Sequence, residues 1–271
     1  MCIWHRRHRP APGGPRIGRR ALLGMISGAA AAPLIGGCDE IGGFPVDLVS
    51  DETVRQMGLE SWERIRAQTA VSGVEAYQRT LQAVGGRLLA AAGEDPARWE
   101  MVVFAGPEIN AFALPGGKIG VYEGMFEAAA NPDQLAAVVG HEIGHNQAEH
   151  SQERLSTAAA KQLGLRLVSA ALQLGDIQYA NEIAALLGIG VEFGLVLPYS
   201  RGQELEADRL GLFTMAEAGY DPREAVGLWR RMDRLAGGRS PAFLSTHPAP
   251  LARIEAIEEL LPEVTAAARA P

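Results

Sequence analysis

Two histidines and a glutamate occur in the spacing HExxH, within the segment VVGHEIGH at residues 138–145. On an α-helix His141 and His145 lie one turn apart on the same face, so both imidazoles can reach one metal ion. Glu142 lies beside them, where its carboxylate can take a proton from a water that the metal activates. The alternative is an exposed helix that carries two histidines by chance, but the surrounding leucine, valines and isoleucine predict a buried helix, where an idle histidine pair would be costly.

A catalytic zinc site takes three protein ligands and keeps one position open for water. The metzincin arrangement would need a glycine at position 148 and a histidine at 151, where this chain has Ala148 and Ser151. A cysteine ligand is also excluded, because Cys2 and Cys38 are the only cysteines: the first lies in the predicted N-terminal leader and the second is the predicted lipidation site. The third ligand is therefore expected to be a glutamate from a second helix.

The segment RGQELEAD at residues 201–208 supplies such a glutamate. Glu204 and Asp208 are four residues apart and share a helix face, whereas Glu206 points about 200° away from Glu204. We predict that Glu204 binds the metal and that Asp208 accepts the free N–H of a ligand histidine, which fixes its tautomer. The alternative is a solvated acidic helix whose carboxylates pair with neighbouring arginines.

This arrangement predicts hydrolysis of a carbonyl substrate. Zinc lowers the pKa of its bound water towards about 7, and Glu142 takes the proton as that water attacks. Glu142 then passes the proton to the leaving amine. The oxyanion needs a further donor, for which the sequence leaves three candidates open: His247, Arg201 and Tyr199.

The elements that position these residues predict an α+β fold that is mostly helical, with a small antiparallel sheet. WEMVVF at residues 99–104 reads as a buried strand, and residues 110–122 read as a hairpin that turns at Gly116 and Gly117. Asn131 and the proline that follows it predict the start of the HExxH helix. Apolar spacing predicts further helices within residues 51–92, 200–218, 221–235 and 251–261.

The first 37 residues read as a secretory leader with a lipobox. They contain six arginines and no acid, then an apolar run, then the small residues that precede Cys38. Cys38 is thus the predicted lipidation site, and the membrane is a predicted partner through this N-terminal lipid anchor. The alternative is an uncleaved N-terminal anchor, and the pair Arg19 and Arg20 leaves twin-arginine export open.

Removing this leader leaves 19 basic against 32 acidic residues, a net charge of −13. Such a balance disfavours nucleic acid, because binding the phosphate backbone needs a basic surface, and no nucleic-acid partner is expected. The apolar segment 163–197 is interrupted by Asp176, Glu182 and Glu192, so it is too broken for a membrane span. We expect buried core helices there, or else a surface that touches a membrane or a partner.

Four blocks carry a family resemblance. They are NAFALPGGKIGVYEG (110–124), VVGHEIGHNQAEHS (138–151), YSRGQELEAD (199–208) and STHPAPLARI (245–254). With these blocks the chain resembles the gluzincin metallopeptidases that include HtpX and the CaaX prenyl proteases. It is most similar to their compact periplasmic branch of LoiP- and BepA-like lipoproteins.

The resemblance implies a zincin-like metallopeptidase fold and one Zn²⁺ per chain, held by His141, His145 and Glu204, with Glu142 catalytic. It also implies an edge strand beside the cleft that binds an extended substrate by strand addition. Its residues are Asn110, Ala111, Phe112 and Ala113. The predicted division of the chain is a leader at 1–37, an N-terminal helical segment at 38–98, the zinc metallopeptidase core at 99–262 and a frayed tail at 263–271.

The histidine of the STHP block lies near zinc on a movable loop in the BepA branch. We therefore hypothesise that His247 is a fourth ligand that must leave before substrate enters. The alternative is a loop histidine that contacts Arg253 or a backbone carbonyl. His150 lies five residues past His145, off the ligand face, and is expected to be structural.

The expected function is a zinc-dependent endopeptidase of the bacterial cell envelope, with unfolded or misassembled envelope polypeptides as partners. A second hypothesis is a chaperone-like lipoprotein that binds unfolded chains with little proteolysis, and a third is a zinc hydrolase that does not act on peptides. The glutamate of the HExxH motif favours the first, because a structural zinc site needs no base.

Overall fold

The computed structural model describes residues 49–158, 199–236, 241–247 and 250–267. The leader, the lipidation site Cys38 and the apolar segment 163–197 lie outside these described residues, so what the sequence predicts for them stays a prediction. Among the helices of the described part, none is both long and apolar enough to cross a membrane.

Helices dominate the described residues, as the sequence predicts, and three short strands accompany them. The helices are α1 (Asp51–Gln68), α2 (Glu75–Ala91), α3 (Glu123–Ala128), α4 (Pro132–Gln147), α5 (Arg201–Glu217), α6 (Glu224–Ala236), α7 (Ala242–Thr246) and α8 (Pro250–Ala267). The strands are β1 (Glu100–Phe104), β2 (Ala111–Leu114) and β3 (Lys118–Tyr122). Residues 150–158 are also helical.

The three strands form one sheet in the order β1-β3-β2. The predicted hairpin is confirmed, since β2 and β3 are antiparallel and join through Gly116 and Gly117, whose φ angles are 92° and 73°. The prediction of an antiparallel sheet is wrong, because β1 runs parallel to β3. The turn glycines determine only the hairpin, whereas the direction of β1 depends on β3 inserting between β1 and β2, which no local signal encodes.

One edge of this sheet is covered. Ser72 donates its backbone N–H to the carbonyl of Val103 in β1 at 2.8 Å. The amide side chain of Gln78 bonds both the N–H and the carbonyl of Val103, at 3.0 and 2.9 Å. Gln82 donates to the carbonyl of Met101 at 2.8 Å. The outer side of β1 is occupied in this way, and β2 is the edge with which no further strand of the described residues pairs.

The HExxH helix α4 begins as predicted. Asn131 caps it by accepting the N–H of Gln134 at 2.8 Å, and Pro132 occupies the first position. The same asparagine and Gln134 both donate to one carboxylate oxygen of Glu224 in α6, at 3.0 and 2.8 Å. The start of the site helix is thereby fixed to a neighbouring helix.

Helices α4 and α5 approach each other closely because glycines line their contact. A Cβ atom built on Gly144 would lie 2.7 Å from the carbonyl oxygen of Ala207, and one on Gly211 would lie 2.9 Å from the carbonyl carbon of Gly140. Real Cβ atoms do not approach backbone atoms so closely. The glycines therefore allow the backbone of α5 to lie against α4 at the level of the HExxH motif.

The C-terminal helix α8 extends further than the sequence predicts. It passes through Pro262 and ends at Ala267, and the side chain of Val264 is fully buried in the core. The predicted frayed tail at 263–271 is therefore wrong for residues 263–267. Proline is unfavourable inside a helix, but burial of Val264, two positions later, keeps the chain in the helix.

Candidate metal centre

Four buried side chains converge between α4, α5 and the end of α7. Ligand atoms of His141, His145, Glu204 and His247 all lie within 4.8 Å of one another. Nε2 of His145 is 3.0 Å from Nε2 of His141 and 3.2 Å from Glu204 Oε1. Nδ1 of His247 is 2.9 Å from the same glutamate oxygen. The predicted ligands are thus brought together, and His247 joins them.

The donor set fits a zinc ion. His141 directs its Nδ1 towards Asp208 and His145 directs its Nδ1 towards His150, at 3.0 and 2.8 Å. With the protons on those outer nitrogens, the Nε2 lone pairs face one another and a carboxylate, an arrangement that a cation stabilises. Imidazole nitrogens and one carboxylate are the ligands that catalytic zinc takes.

Asp208 occupies the place that the sequence predicts for it. Its Oδ1 lies 3.0 Å from Nδ1 of His141, where it can accept a proton on that nitrogen and leave Nε2 for a metal. Nη2 of Arg253, which also bonds Asp208, lies 3.1 Å from the same nitrogen. Glu206 points out of the cluster, as predicted, and its side chain is 60% exposed. The alternative of a solvated acidic helix is excluded on the Glu204 face, because both Glu204 and Asp208 are buried.

Glu142 is almost completely buried between the cluster and the sheet. Its Oε2 accepts the backbone N–H of Ala113 in β2 at 2.9 Å, and its Oε1 lies 3.3 Å from Nε2 of His247. Burial raises the pKa of Glu142 to about 7, against the opposing effects of His247 and the Ala113 N–H. A carboxyl group with such a pKa can both accept and return a proton near neutral pH.

Burial also determines the charge of the ligands. It lowers the pKa of His145 to about 3 and that of His141 well below its usual value. Both rings are therefore neutral, which is the form that binds metal. Burial opposes ionisation of Glu204, but His141, His145, His247 and Arg253 together hold its pKa well below the usual range.

Arg253 is the main residue of the site that the sequence analysis did not place. Its Nε and Nη2 donate to the two carboxylate oxygens of Asp208 at 2.7 and 2.6 Å, and its Nη1 lies 2.6 Å from Glu204. The guanidinium stacks on the ring of Trp229, 3.7 Å from its centroid. Sequence reasoning considered Arg253 only as a contact of His247. The available signal was a lone arginine in the apolar STHPAPLARI block.

The three candidate oxyanion donors lie in different places. Tyr199 is buried and stacks on His145 with ring centroids 3.8 Å apart. The guanidinium of Arg154, which sequence reasoning also missed, lies 3.8 Å from the centroid of the Tyr199 ring. His247 lies within the cluster, whereas Arg201 is exposed in the first turn of α5. Tyr199 and His247 therefore remain candidates.

The predicted substrate strand lies beside Glu142. Asn110, just before β2, accepts the N–H of Tyr122 at 3.0 Å. The N–H and C=O groups of successive residues alternate in direction along an antiparallel strand. Because those of Asn110 face β3, those of Ala111 and Ala113 point away from it. The bond from Ala113 to the HExxH glutamate agrees with this direction. The ring of Phe112 stacks on that of Phe104 in β1, with ring centroids 6.3 Å apart.

The fold and the site have the arrangement that is typical of gluzincins: an HExxH helix, a glutamate from a second helix, and a sheet edge next to the glutamate of the motif. The chain belongs to peptidase family M48, whose model matches residues 75–261.

The chain is similar to characterised proteins of this family. It is 37% identical over 220 residues to the mitochondrial metalloendopeptidase OMA1 of Schizosaccharomyces pombe, covering 79% of this chain and 63% of that protein. It is 32% identical over 181 residues to the human metalloendopeptidase OMA1, covering 63% of this chain and 34% of that protein. It is 28% identical over 183 residues to the beta-barrel assembly-enhancing protease of Yersinia pestis, covering 64% of this chain and 37% of that protein. The chain thus spans less than two thirds of the length of each of these relatives.

Proposed function

We propose that this protein is a zinc-dependent endopeptidase of the bacterial cell envelope that cleaves misfolded or misassembled proteins. One observation carries the proposal: the buried carboxylate of Glu142 lies between four side chains that could hold a metal ion and the edge strand β2. The similarity to metalloendopeptidases and to a protease named for β-barrel assembly supports the reaction and the envelope setting.

His141, His145 and Glu204 would hold the zinc ion, which supplies a Lewis acid for the peptide carbonyl and for an attacking water. Glu142 is placed to accept the proton of that water and to return it to the leaving amine. The N–H of Ala113 holds the Glu142 carboxylate in orientation through its Oε2. Tyr199 is a candidate oxyanion donor, because its side chain is buried and its phenol can donate a hydrogen bond.

The substrate proposed here is an extended polypeptide. A chain laid along β2 would pair with the backbone groups of Ala111 and with the carbonyl of Ala113, which point away from β3. The N–H of Ala113 stays on Glu142. Pairing through the main chain does not depend on substrate sequence, which suits a protease that acts on unfolded segments. Such a strand would lie beside Glu142, where the scissile carbonyl is needed.

His247 is proposed to act as a fourth ligand that keeps the site closed. Its Nδ1 lies 2.9 Å from Glu204, and its Nε2 lies 3.3 Å from the Oε1 of Glu142. The ring therefore contacts both a zinc ligand and the general base. In this arrangement it occupies the position that water and substrate need, so it must move away before cleavage.

Attachment to the membrane is proposed to occur through a lipid on Cys38, after removal of the leader. The test is mass spectrometry of the N-terminal peptide from protein made in a bacterial host. We expect an acylated peptide that begins at residue 38, and its loss in a Cys38→Ser variant. Cys2→Ser is the matched control, because this residue is removed with the leader and its change should leave the product unaltered.

The decisive experiment for the activity compares wild-type protein with Glu142→Gln. We expect the variant to retain one zinc per chain by metal analysis and to cleave unfolded casein at least about 100-fold more slowly. Asp133→Asn is a matched control, because it removes a carboxylate from the same helix outside the metal cluster. Cleavage by Glu142→Gln at the wild-type rate would overturn the assigned role.

A chaperone-like lipoprotein is the second candidate function. The position of β2 at the edge of the described sheet favours it, since strand addition alone can hold an unfolded chain. The same variant separates the two. If Glu142→Gln fully replaces the wild-type protein in cells, binding rather than cleavage is the function.

A further inference from the structure

His145 is connected to the protein surface through two further side chains. Its Nδ1 lies 2.8 Å from Nδ1 of His150, and Nε2 of His150 lies 3.3 Å from Oε2 of Glu206. His150 is 1% exposed, whereas the side chain of Glu206 is 60% exposed. The chain of contacts therefore begins at a metal ligand, passes through a buried ring and ends in solvent.

Only one placement of protons satisfies all three groups when a metal is bound. Nε2 of His145 faces the cluster, so its lone pair is needed there and its proton lies on Nδ1. Nδ1 of His150 must then accept that N–H, which places the proton of His150 on Nε2. That second N–H points at the Glu206 carboxylate, which can only accept.

The backbone beside His150 is held in an uncommon conformation. Glu149 has a φ of 53°, and it is the one residue other than glycine with a positive φ among those the structure describes. This left-handed residue ends the turn after α4 and begins the helical residues 150–158. A non-glycine residue in this conformation costs on the order of 1 kcal/mol or more, and such strain commonly accompanies functional positions. Here the residue in this conformation directly precedes His150, whose ring contacts His145.

We propose that His150 is a positioning residue for the zinc ligand His145, and that Glu206 holds His150 in the tautomer this task requires. The inference rests on the proposed function in one respect, because it needs zinc at Nε2 of His145. It differs from the expectation that His150 is only structural. Two chains of contacts would then lead away from the zinc ligands. We call them the two arms of the site: one runs from His141 to the buried side chain of Asp208, and the other runs from His145 through His150 to Glu206 in solvent.

The two arms differ in what surrounds the terminal group. Asp208 is buried and held by two hydrogen bonds from Arg253. Glu206 is exposed, so water and salt compete with its contact to His150. We therefore expect the loss of Glu206 to weaken zinc binding less than the loss of His150.

The test measures zinc release from the purified full chain to an excess of a chromogenic chelator, in wild type, four single variants and one double variant. His150→Leu removes the acceptor, whereas His150→Asn keeps an oxygen near the position of Nδ1. Glu206→Gln removes only the surface charge. Glu217→Gln is the matched control, because it removes an exposed carboxylate from the same helix, α5.

We expect His150→Leu to release zinc about 10- to 100-fold faster than wild type, and His150→Asn to restore most of the slow release. Glu206→Gln should release zinc about two- to five-fold faster, and Glu217→Gln at the wild-type rate. In the His150→Leu background, Glu206→Gln should have no additional effect, because the two act through one chain of contacts. The absorption bands of Co²⁺-loaded protein should also change in His150→Leu and not in Glu217→Gln.

The positioning role would be overturned if all three variants of His150 and Glu206, including His150→Leu, released zinc as slowly as wild type. The proposed function would remain intact in that case. If His150→Leu does not fold, the surface variant Glu206→Gln still tests the chain of contacts, because it changes only an exposed side chain. Its release at the wild-type rate would overturn the role of Glu206. A wild-type protein without bound zinc would overturn the proposed function and this inference together.

Discussion

The Nη1 atom of Arg253 lies 2.6 Å from Oε2 of Glu204, and both side chains are almost completely buried. A buried cation thus contacts the carboxylate that is to bind a divalent metal. The same guanidinium holds Asp208, which orients His141. The arginine compensates part of the negative charge of two buried carboxylates and fixes both of them with respect to the metal cluster.

Replacing Arg253 with methionine is expected to destabilise the fold by about 3–5 kcal/mol, because it leaves buried carboxylates without their partner. Urea unfolding of the zinc-loaded protein measures this change. Asp208→Asn introduced into the Arg253→Met protein should recover part of the loss, since it removes one of the uncompensated charges.

The control is Arg230→Met, which breaks the exposed pair with Glu258 on neighbouring helices. Its expected cost is below about 1 kcal/mol, because water replaces the partner. If the two methionine substitutions lowered the free energy of unfolding equally, the buried contacts of Arg253 would contribute no more to stability than an exposed ion pair.

The parts of the site that the sequence predicts are those determined by local spacing. His141 and His145 share a face because they are four residues apart on one helix, and the same holds for Glu204 and Asp208. The Asn131 cap and the glycine turn of the hairpin are equally local. These features need no knowledge of what packs against them.

The parts that the sequence did not predict depend on long-range packing. Arg253 reaches the site only because α8 lies against α5, and no motif shows that its side chain turns inward. The contact of His150 with His145 depends on the left-handed turn at Glu149. The parallel direction of β1 follows from the insertion of β3. The continuation of α8 beyond Pro262 follows from burial rather than from helix signals.

Replacing His247 with alanine is expected to raise the rate of casein cleavage, because the ring contacts both Glu204 and Glu142 where substrate and water must enter. Each 1.4 kcal/mol by which the ring favours the closed site reduces the competent fraction about tenfold. Initial rates at saturating zinc measure the change.

Thr246→Ala is the control for His247→Ala, because it removes a hydrogen bond to Phe243 in the same short helix without touching the metal cluster. It should leave the rate unchanged. A fall in kcat for His247→Ala would instead make His247 an oxyanion donor, and an unchanged rate would remove the closing role.

Removal of zinc with a chelator is expected to abolish cleavage and to lower the melting temperature. Binding to the native state alone stabilises by about 4 kcal/mol when the free metal is 1,000 times the dissociation constant. Differential scanning fluorimetry and metal analysis should show that one zinc per chain restores both properties. Glu142→Gln should show the same thermal shift, because this residue is not a ligand. Full activity of metal-free protein would contradict the assignment of the site.

The glycine contact between α4 and α5 gives a prediction about how the site is assembled. Gly144→Ala would place a methyl group 2.7 Å from the carbonyl oxygen of Ala207, and the two helices would have to separate. Because α5 carries Glu204 and α4 carries the histidines, the separation should weaken zinc binding as well as stability. We expect a loss of about 1–3 kcal/mol, the usual range for overpacking, together with faster zinc release to a chelator.

Gly86→Ala is the matched control for this substitution. Gly86 lies within α2, and a Cβ atom there would meet nothing within 4 Å. Because alanine restricts the unfolded chain and favours the helix, Gly86→Ala should raise stability by about 0.4–1 kcal/mol and leave zinc release unchanged. If Gly144→Ala behaved in the same way, the close approach of α4 and α5 would not be what brings Glu204 to the two histidines.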